Sequence, residues 1–589
     1  MLTPTLRWWQ RSALLAALSI LVSAANAYGG GIIYVDDDAP PGGNGQSWNT
    51  AFRFLRDALT VANDPEPAIS EVRIAQGTYR PDRDEANPDG SGDEWQSFVM
   101  LSGRTLRGGY AGLGAPDPDA LDPKKFITTL NGDLSEQNFL NSKHIVICTG
   151  DPRIAGPLIE GLVITHSQAI NDKSNDCLQP PEMVDGGGVL SVDVTSVITG
   201  CTFVANMAIC RGGAFYGSGV ISQCVFQGNS AGKSGGGAIY GSVSIDQCVF
   251  IDNESWNGGA VRLSADTTVT DCTFIDNHAV DDAGAALVNS NISCDFINCS
   301  FIDNGADDGG AVQVNEGGLA TFVACRFLSN SSGSSGGAAN LEEGDGVFVN
   351  CVFAESDSGY SAITTWQGGT VSAVNCTFVA NSSDVSAGGA ATGTGVIANS
   401  IFLDNTSEHH FPEHVSGDIS VMSSCFFPFQ EGIPGTGNIF VDPLLVDADG
   451  PDDIYGTEDD DLHLTADSPC INTGVISFLP ADEFDLDKDG DTSEPIPFDL
   501  DGLPRIVGSS VDMGAYEFQQ VICAADIVPP GGGNGEIEAA DLAELLAQWG
   551  PCDDPGNCSA DIFPPSGGGD GIVGPGDLGE LLAQWGACE

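Results

Sequence analysis

The chain has 589 residues and carries 82 acidic against 20 basic side chains, a formal net charge of −62. A nucleic-acid backbone requires the opposite sign, so nucleic acid is excluded as a partner. Anionic polymers are repelled too unless divalent cations bridge the two; the simplest use of the charge is solubility in a salty or calcium-rich medium.

Residues 1–27 read as a secretory signal peptide. Arg7 and Arg11 form its basic start, residues 13–22 its short apolar core, and Ala25, Asn26 and Ala27 a small-residue cleavage site. The apolar core is too short to span a bilayer and no later stretch is long enough. The expectation is a secreted or cell-surface protein without a transmembrane anchor.

Residues 28–154 are expected to hold an N-terminal cap and the first coils of a solenoid. Within them, residues 51–62 place apolar side chains at helical spacing, and residues 74–79 read as a strand. A helix there would cover the open end of a stack of strands, whose unpaired edge otherwise templates aggregation. This opening resembles the entry segment of pectate-lyase-like β-helix proteins.

Residues 155–440 carry the repeat. An aromatic residue, two variable residues and Asn recur at Phe203/Asn206, Phe226/Asn229, Phe250/Asn253, Phe274/Asn277, Phe301/Asn304, Phe327/Asn330, Phe378/Asn381 and Phe402/Asn405. A cysteine precedes most of these phenylalanines by two, at Cys201, Cys224, Cys248, Cys272, Cys299, Cys325 and Cys376, and Cys351 keeps the spacing of 23 to 27 residues. Residues two apart share one face of a strand, so Cys and Phe point inward. The Asn, which tolerates left-handed backbone, ends the strand, and Gly-Gly-Ala turns the chain into the next one. Several short strands per period of this length describe a parallel β-helix in which equivalent residues stack into ladders. The ladder cysteines read as small hydrophobes of a core column rather than as metal or redox centres. The Gly-Gly-Ala and Phe-x-x-Asn phrases together resemble the repeat of chlamydial polymorphic outer-membrane proteins and of right-handed β-helix proteins of planctomycetes, over roughly residues 200–410. That resemblance implies an extracellular surface or adhesion role.

Residues 441–520 form an acidic closing segment. Asp485, Asp487, Asp489 and Asp491 set oxygens at positions 1, 3, 5 and 7 of a calcium loop, with Gly490 at position 6. Position 12 falls on Ile496, so Glu494 is the nearby substitute. Residues 468–474 and 511–517 resemble a terminal element of secreted bacterial β-helix proteins and are expected to cap the last coil.

Residues 521–589 repeat one unit twice: Cys523 and Asp526, or Cys558 and Asp561, open a Gly/Pro-rich loop that leads into a helix starting at Asp541 or Asp577. Leu542, Leu545, Leu546 and Trp549 form one apolar stripe, which the two helices should bury against each other. Asn534 and Asp541, like Asp570 and Asp577, fit positions 5 and 12 of a calcium loop, with Glu538, Asp526 and Asp561 as further candidate ligands. The pair resembles a dockerin module. That resemblance implies non-covalent docking to a cohesin-like surface partner. Cys523, Cys552, Cys558 and Cys588 permit three disulfide pairings, which sequence does not choose between.

Catalysis has thin support. Asp252, Asp276 and Asp303 occupy the same place on consecutive coils and could recruit a cation or raise one another's pKa, though solvated turns are the simpler reading. Arg262 is a candidate base, but Arg211, Lys233, Arg262 and Arg326 fall in different phases of the repeat. The expectation is an all-β chain, a right-handed parallel β-helix (a pectate-lyase-like solenoid) followed by a small α-helical calcium-loop module. It is expected to be calcium-stabilised and to bind an extracellular glycan or cell-surface ligand. A polysaccharide lyase or glycoside hydrolase is the alternative.

Overall fold

A computed structural model describes residues 31–65, 68–134, 141–170, 177, 184–385, 387–408, 413–508 and 510–519, and in the C-terminal part 536–537, 539–551, 572–573, 578, 581–582 and 586–587. The chain forms two compact units, Met1–Glu517 and Phe518–Glu589. The expected signal peptide lies outside the described residues.

The first unit is a parallel β-solenoid. Its strands assort into parallel sheets of 21, 13 and 10 strands among the described residues. The helix Leu55–Ala62 buries Leu55, Ala58, Leu59 and Ala62 against the opening strands Gly31–Val35 and Ile69–Ala75, as an end cover should.

The 13-stranded sheet is built from three-residue strands such as Thr202–Val204, Val225–Gln227 and Val249–Ile251, each with its Phe inward. From Phe203 to Phe426 the rings stack face to face; Phe274 and Phe301, for instance, lie 5.0 Å apart at 4°. A second column, Phe296, Phe322 and Phe348, meets the first edge-on and was not foreseen from the repeat.

Two corners per coil need left-handed backbone, and neither falls on the conserved-looking letter of the phrase. One is the residue before Asn: Ala205, Asp252, Asp276 and Asp303 have φ of 53°, 52°, 55° and 54°. The other is the residue before Cys, as at Gln223, Gln247 and Asp271. The expected left-handed Asn is thus corrected by one position. The Asn itself turns inward, where its amide satisfies the corner. Asn277 Nδ2 donates to the Phe250 carbonyl and to Asn304 Oδ1, both at 3.0 Å, and its Oδ1 accepts from the Asn253 backbone at 3.1 Å.

The cysteine column does the same work at the other corner. The Cys201 amide donates to Cys224 Sγ at 3.4 Å, and the Cys224 thiol donates to the Ser222 carbonyl at 3.1 Å. Ser400 and Ser424 continue the column with identical bonding. The thiols are therefore corner hydrogen-bonders as well as core filling.

The closing segment meets the last coil only in part, where Cys470 reaches Cys425 of the strand Cys425–Phe427. It lies along the outer face of the 13-stranded sheet, burying Leu462, Leu500, Ala515 and Tyr516 against Leu328, Val352, Val379 and Leu403. Corner asparagines hold it: Asn350 Nδ2 donates to the Phe498 carbonyl at 2.7 Å and Asn375 Nδ2 to the Asp512 carbonyl at 3.0 Å. The outward residues Leu328, Val352, Ala354, Val379 and Leu403 stack into one apolar seat for it.

In the second unit a helix spans Ala539–Ala547, and two antiparallel pairings join Glu536–Ile537 to Gly586–Ala587 and Gly550–Pro551 to Ile572–Val573. Of the expected apolar stripe only Leu545 is buried, while Leu546 and Trp549 are exposed. The candidate ligands Asp526, Asn534, Glu538, Asp561, Asp570 and Asp577, the side chain of Asp541, and Cys523, Cys552, Cys558 and Cys588 lie outside the described residues.

Candidate functional site

The structure separates the candidate catalytic residues. Asp252, Asp276 and Asp303 are exposed corner residues following strands of the 13-stranded sheet, whereas Arg262 lies in the strand Val261–Leu263 of the 21-stranded sheet. The three aspartates and Arg262 thus lie on different sheets and form no single constellation. Asp303 does feel Asp276: burial first, and then that like charge, push its carboxyl up.

Arg262 belongs to a different constellation. Along the outward column of the 21-stranded sheet, Tyr216 pairs in register with Tyr240, and Tyr240 with Arg262. The tyrosine rings stack 5.7 Å apart at 26°. Arg211 lies over both, 4.6 Å from the Tyr216 ring and 5.5 Å from that of Tyr240, and Arg262 lies 5.7 Å from Tyr240. Two arginines in different phases of the repeat thus converge on one aromatic pair, because Arg211 enters from the turn before its coil and Arg262 from the strand of the next.

Both arginines are pre-aimed. Asp185, fully buried, takes Arg211 side-on, with Nε–Oδ1 at 3.1 Å and Nη2–Oδ2 at 2.5 Å. Arg262 donates from Nε to Asn289 Oδ1 at 2.9 Å and from Nη1 to the Ser234 carbonyl at 2.8 Å. Burial lowers its pKa, opposed by Tyr240 and Asp282, and a guanidinium stays charged regardless.

Beside the tyrosines runs an open groove of about 500 Å³, lined by Asp193, Ser218, Ser242 and Ser264. Glycines make its floor: a Cβ on Gly241 would lie 1.9 Å from the Gly217 carbonyl oxygen, so any side chain there would close the coils' approach. The phrase Tyr-Gly-Ser occurs at 216–218 and again at 240–242, one period apart. That repeat was the readable signal for the site, hidden beneath the stronger Cys and Phe ladders.

Near Arg262, at the edge of the 10-stranded sheet, Asp282 pairs in register with Asp308. Burial, then Asp281, Asp308 and Glu342, push the Asp282 carboxyl up to about 6, with Arg262 opposing. Asn257 Nδ2 donates to its Oδ2 at 3.1 Å.

On the closing segment, Asp485, Asp487 and Asp489 each bring an oxygen within 4.8 Å of the others. Asp491 is not among them: its Oδ1 accepts from the Ser493 amide at 3.0 Å and hydroxyl at 2.6 Å, which holds its carboxyl low.

No protein-family model matches the chain, and no curated protein does. Solved structures similar to it include pectate lyase Pel9A, at TM-score 0.35 and 11% identity over 84% of this chain and 98% of that one. PfbA, a surface adhesin of Streptococcus pneumoniae, is similar at TM-score 0.26 and 11% identity over 65% of this chain and 86% of that one. The tailspike protein of E. coli bacteriophage HK620, in complex with a pentasaccharide, is similar at TM-score 0.30 and 12% identity over 69% and 78%. These likenesses bear on the solenoid form alone, which the strand pairing already establishes.

Proposed function

We propose that the protein is an extracellular surface protein that binds an extended glycan along the groove beside Tyr216 and Tyr240. The carrying observation is the stacked tyrosine pair with Arg211 over both rings and Arg262 over Tyr240. Aromatic faces offer apolar area to the C–H face of a sugar ring, while the tyrosine hydroxyls and the rows of serine offer hydrogen bonds. The arginines, already oriented by Asp185 and Asn289, add affinity for carboxylate- or sulfate-bearing sugars at little ordering cost. On a chain this acidic they form a local exception, and that marks where such a polymer would settle.

Binding to a panel of neutral and acidic glycans, read by calorimetry, tests this. Tyr216→Ala and Tyr240→Ala should each weaken affinity about tenfold, a loss of about 1.4 kcal/mol. Unchanged affinity in the double variant, with the fold intact, would dismiss the groove.

Cleavage of the bound glycan is the second reading, favoured by Asp282, whose carboxyl sits at about 6 beside Arg262. An assay for new reducing ends or unsaturated products decides it: Asp282→Asn should abolish turnover and spare binding.

The remainder of the reading is organisational. The coils wind right-handed, as parallel crossovers do. Residues 1–27 direct export, which the Cys177–Cys210 disulfide supports. Among the described residues no helix is long and apolar enough to cross a membrane. Residues 521–589, as a calcium-dependent dockerin-like module, hold the protein to a cohesin-like partner; the helix Ala539–Ala547, at the place the duplicated pattern predicts, supports this.

A further inference from the structure

The acidic loop of the closing segment contains more than its sequence spacing suggests. Residues 481 and 495 pair as a short antiparallel bridge, and the Asp482 amide donates to the Glu494 carbonyl at 2.8 Å. This brings Asp482 and Glu494 together on the two arms of a loop whose tip carries Asp485, Asp487 and Asp489. Oxygens of Asp482, Asp487 and Glu494 lie within 4.8 Å of one another, and Asp487 is shared with the tip group.

Two of these oxygens stand apart. Asp482 is fully buried; its Oδ2 accepts from the Leu486 amide at 2.7 Å, but its Oδ1 has no hydrogen-bond partner. Glu494 Oε1 is buried and likewise unpartnered. Neither side chain forms an ion pair among the described residues. An unmatched carboxylate oxygen shielded from water is unfavourable, and two of them facing one loop point to a cation as the missing partner. Elsewhere in the acidic clusters backbone amides occupy carboxylate oxygens, those of Leu113, Asp38 and Thr78 at Asp36 and Asp37, and those of Gly490, Asp489 and Asp491 at Asp485, Asp487 and Asp489, so the unmatched oxygens of Asp482 and Glu494 are the exception.

The donor set is all carboxylate, which selects a hard cation and not zinc or copper. Three carboxylates, each able to offer one oxygen or two, suit the flexible shell of six to eight oxygens around calcium better than the strict octahedron of magnesium. We propose that Asp482, Asp487 and Glu494 bind one calcium ion that fastens the closing segment to the coils. The lever is short: Ile496, two residues past Glu494, is buried against Val323 and Val349 together with Leu479, Phe484 and Leu486. This site is independent of the glycan groove.

Lys488, exposed at the loop tip, gives a local readout, since it is the one lysine beyond Lys233. A lysine-specific endoprotease that needs no calcium is applied to the full chain. Excess calcium should slow cutting at Lys488 about tenfold relative to chelator, and Asp482→Asn/Glu494→Gln should erase that protection. Should the double variant misfold, seen as rapid cutting at Lys233 as well, Asp487→Asn replaces it, because that carboxylate is exposed. Equal cutting with calcium and chelator in the native chain overturns the proposal. So does protection that survives in a folded variant, which would place the calcium elsewhere. Equal protection by magnesium overturns the assignment to calcium.

Discussion

The coils and the closing segment are held by opposite means. In the coils the rungs repeat neutral contacts: a stacked Phe, an Asn amide and a Cys thiol, with Ser400 and Ser424 in place of the thiol and Ser356 in place of the Asn. In the closing segment nothing repeats, and a small apolar patch is fastened by a few polar contacts. Asn399 exchanges bonds with Val475, Thr377 accepts from Ala515, Arg326 lies 3.6 Å from Asp501, and Arg505 is fully buried. The corner column shows how one feature serves both regions. Gln223, Gln247, Asp271 and Asn298 are exposed on the open coils, whereas Asn350, Asn375 and Asn399, at the same corner, are buried and donate to the closing segment. A ladder spreads its stability over many equivalent bonds, while a strap concentrates it, so the two should fail differently.

The largest effect is expected at Arg505. Its guanidinium donates to the Asp512 carbonyl at 2.7 Å and lies 3.7 Å from Glu517, with Asp499 and Asp512 adding to its field. Arg505→Leu strands those acids, and breaking a buried pair in this way costs about 3–5 kcal/mol. Hydrogen exchange should rise over residues 441–517 and stay slow in the coils. Fast exchange throughout would show that strap and coils unfold as one, and the contrast drawn above would fall.

The matching change inside the coils is Asn277→Ala. It strips the Asn253 amide and the Phe250 carbonyl of partners in the dry core, at about 1–3 kcal/mol for each group left unsatisfied. Denaturant melting should show a loss of about 3 kcal/mol, with exchange rising on both neighbouring coils. The chain contains its own partial version of this change. Ser356 stands where Asn is expected; its amide donates to Asn381 Oδ1 at 3.0 Å, but its hydroxyl has no partner. Ser356→Asn should rejoin Asn330 to Asn381 and raise stability by about 1 kcal/mol. A loss instead would mean that the rung has closed around the smaller side chain.

Much of the coil was legible because its forces repeat. Cys, Phe and Asn recur at one spacing, and Cys and Phe were placed on the inner face, whereas Asn was read only as the end of the strand and the structure turns it inward. The position of the left-handed residue was misread, since the Asn side chain invites a turn while the turn itself falls on Asp276 or Ala205. The strap was legible only as acidic composition. Its docking depends on outward Leu328, Val352 and Leu403, which in sequence are three unremarkable strand residues on separate coils. The groove was hidden for a related reason: Arg211 and Arg262 sit in different phases, and only stacking of the coils brings both to Tyr240. The candidate aspartates Asp252, Asp276 and Asp303 recur at the exposed corner of consecutive coils, as their spacing implied.

The smallest expected effect separates the regions by pH. His463 lies between two carboxylates, with Nδ1 2.6 Å from Asp461 Oδ1 and Nε2 2.6 Å from Asp501 Oδ2, and its ring rests 4.2 Å from that of Tyr516. Neither carboxylate can donate, so both ring nitrogens must, and the ring is the imidazolium. Burial pulls its pKa down, but the bonds and charges of Asp501 and Asp461 outweigh this and raise it above the usual value. A raised histidine contributes stability that is complete below its unfolded pKa of about 6.5 and is lost as pH rises through the folded value. Arg326, on the far side of Asp501, keeps that carboxylate paired when the imidazolium is lost, and the ring is half-exposed, so screening trims the change to about 0.5 kcal/mol. Glu517, pushed up to about 7 chiefly by burial, loses stability in the same direction between its ordinary value and 7. The imidazole's share is therefore read as the difference between the native chain and His463→Gln. Above pH 6.5 the native chain should lose more protection at residues 441–517 than the variant, whose remaining slope is that of Glu517, and the coils, which hold no such histidine bridge among the described residues, should give the same profile in both chains. A variant that tracks the native chain across that window would remove His463 from the strap's fastening and leave Arg326 and Arg505 to account for it.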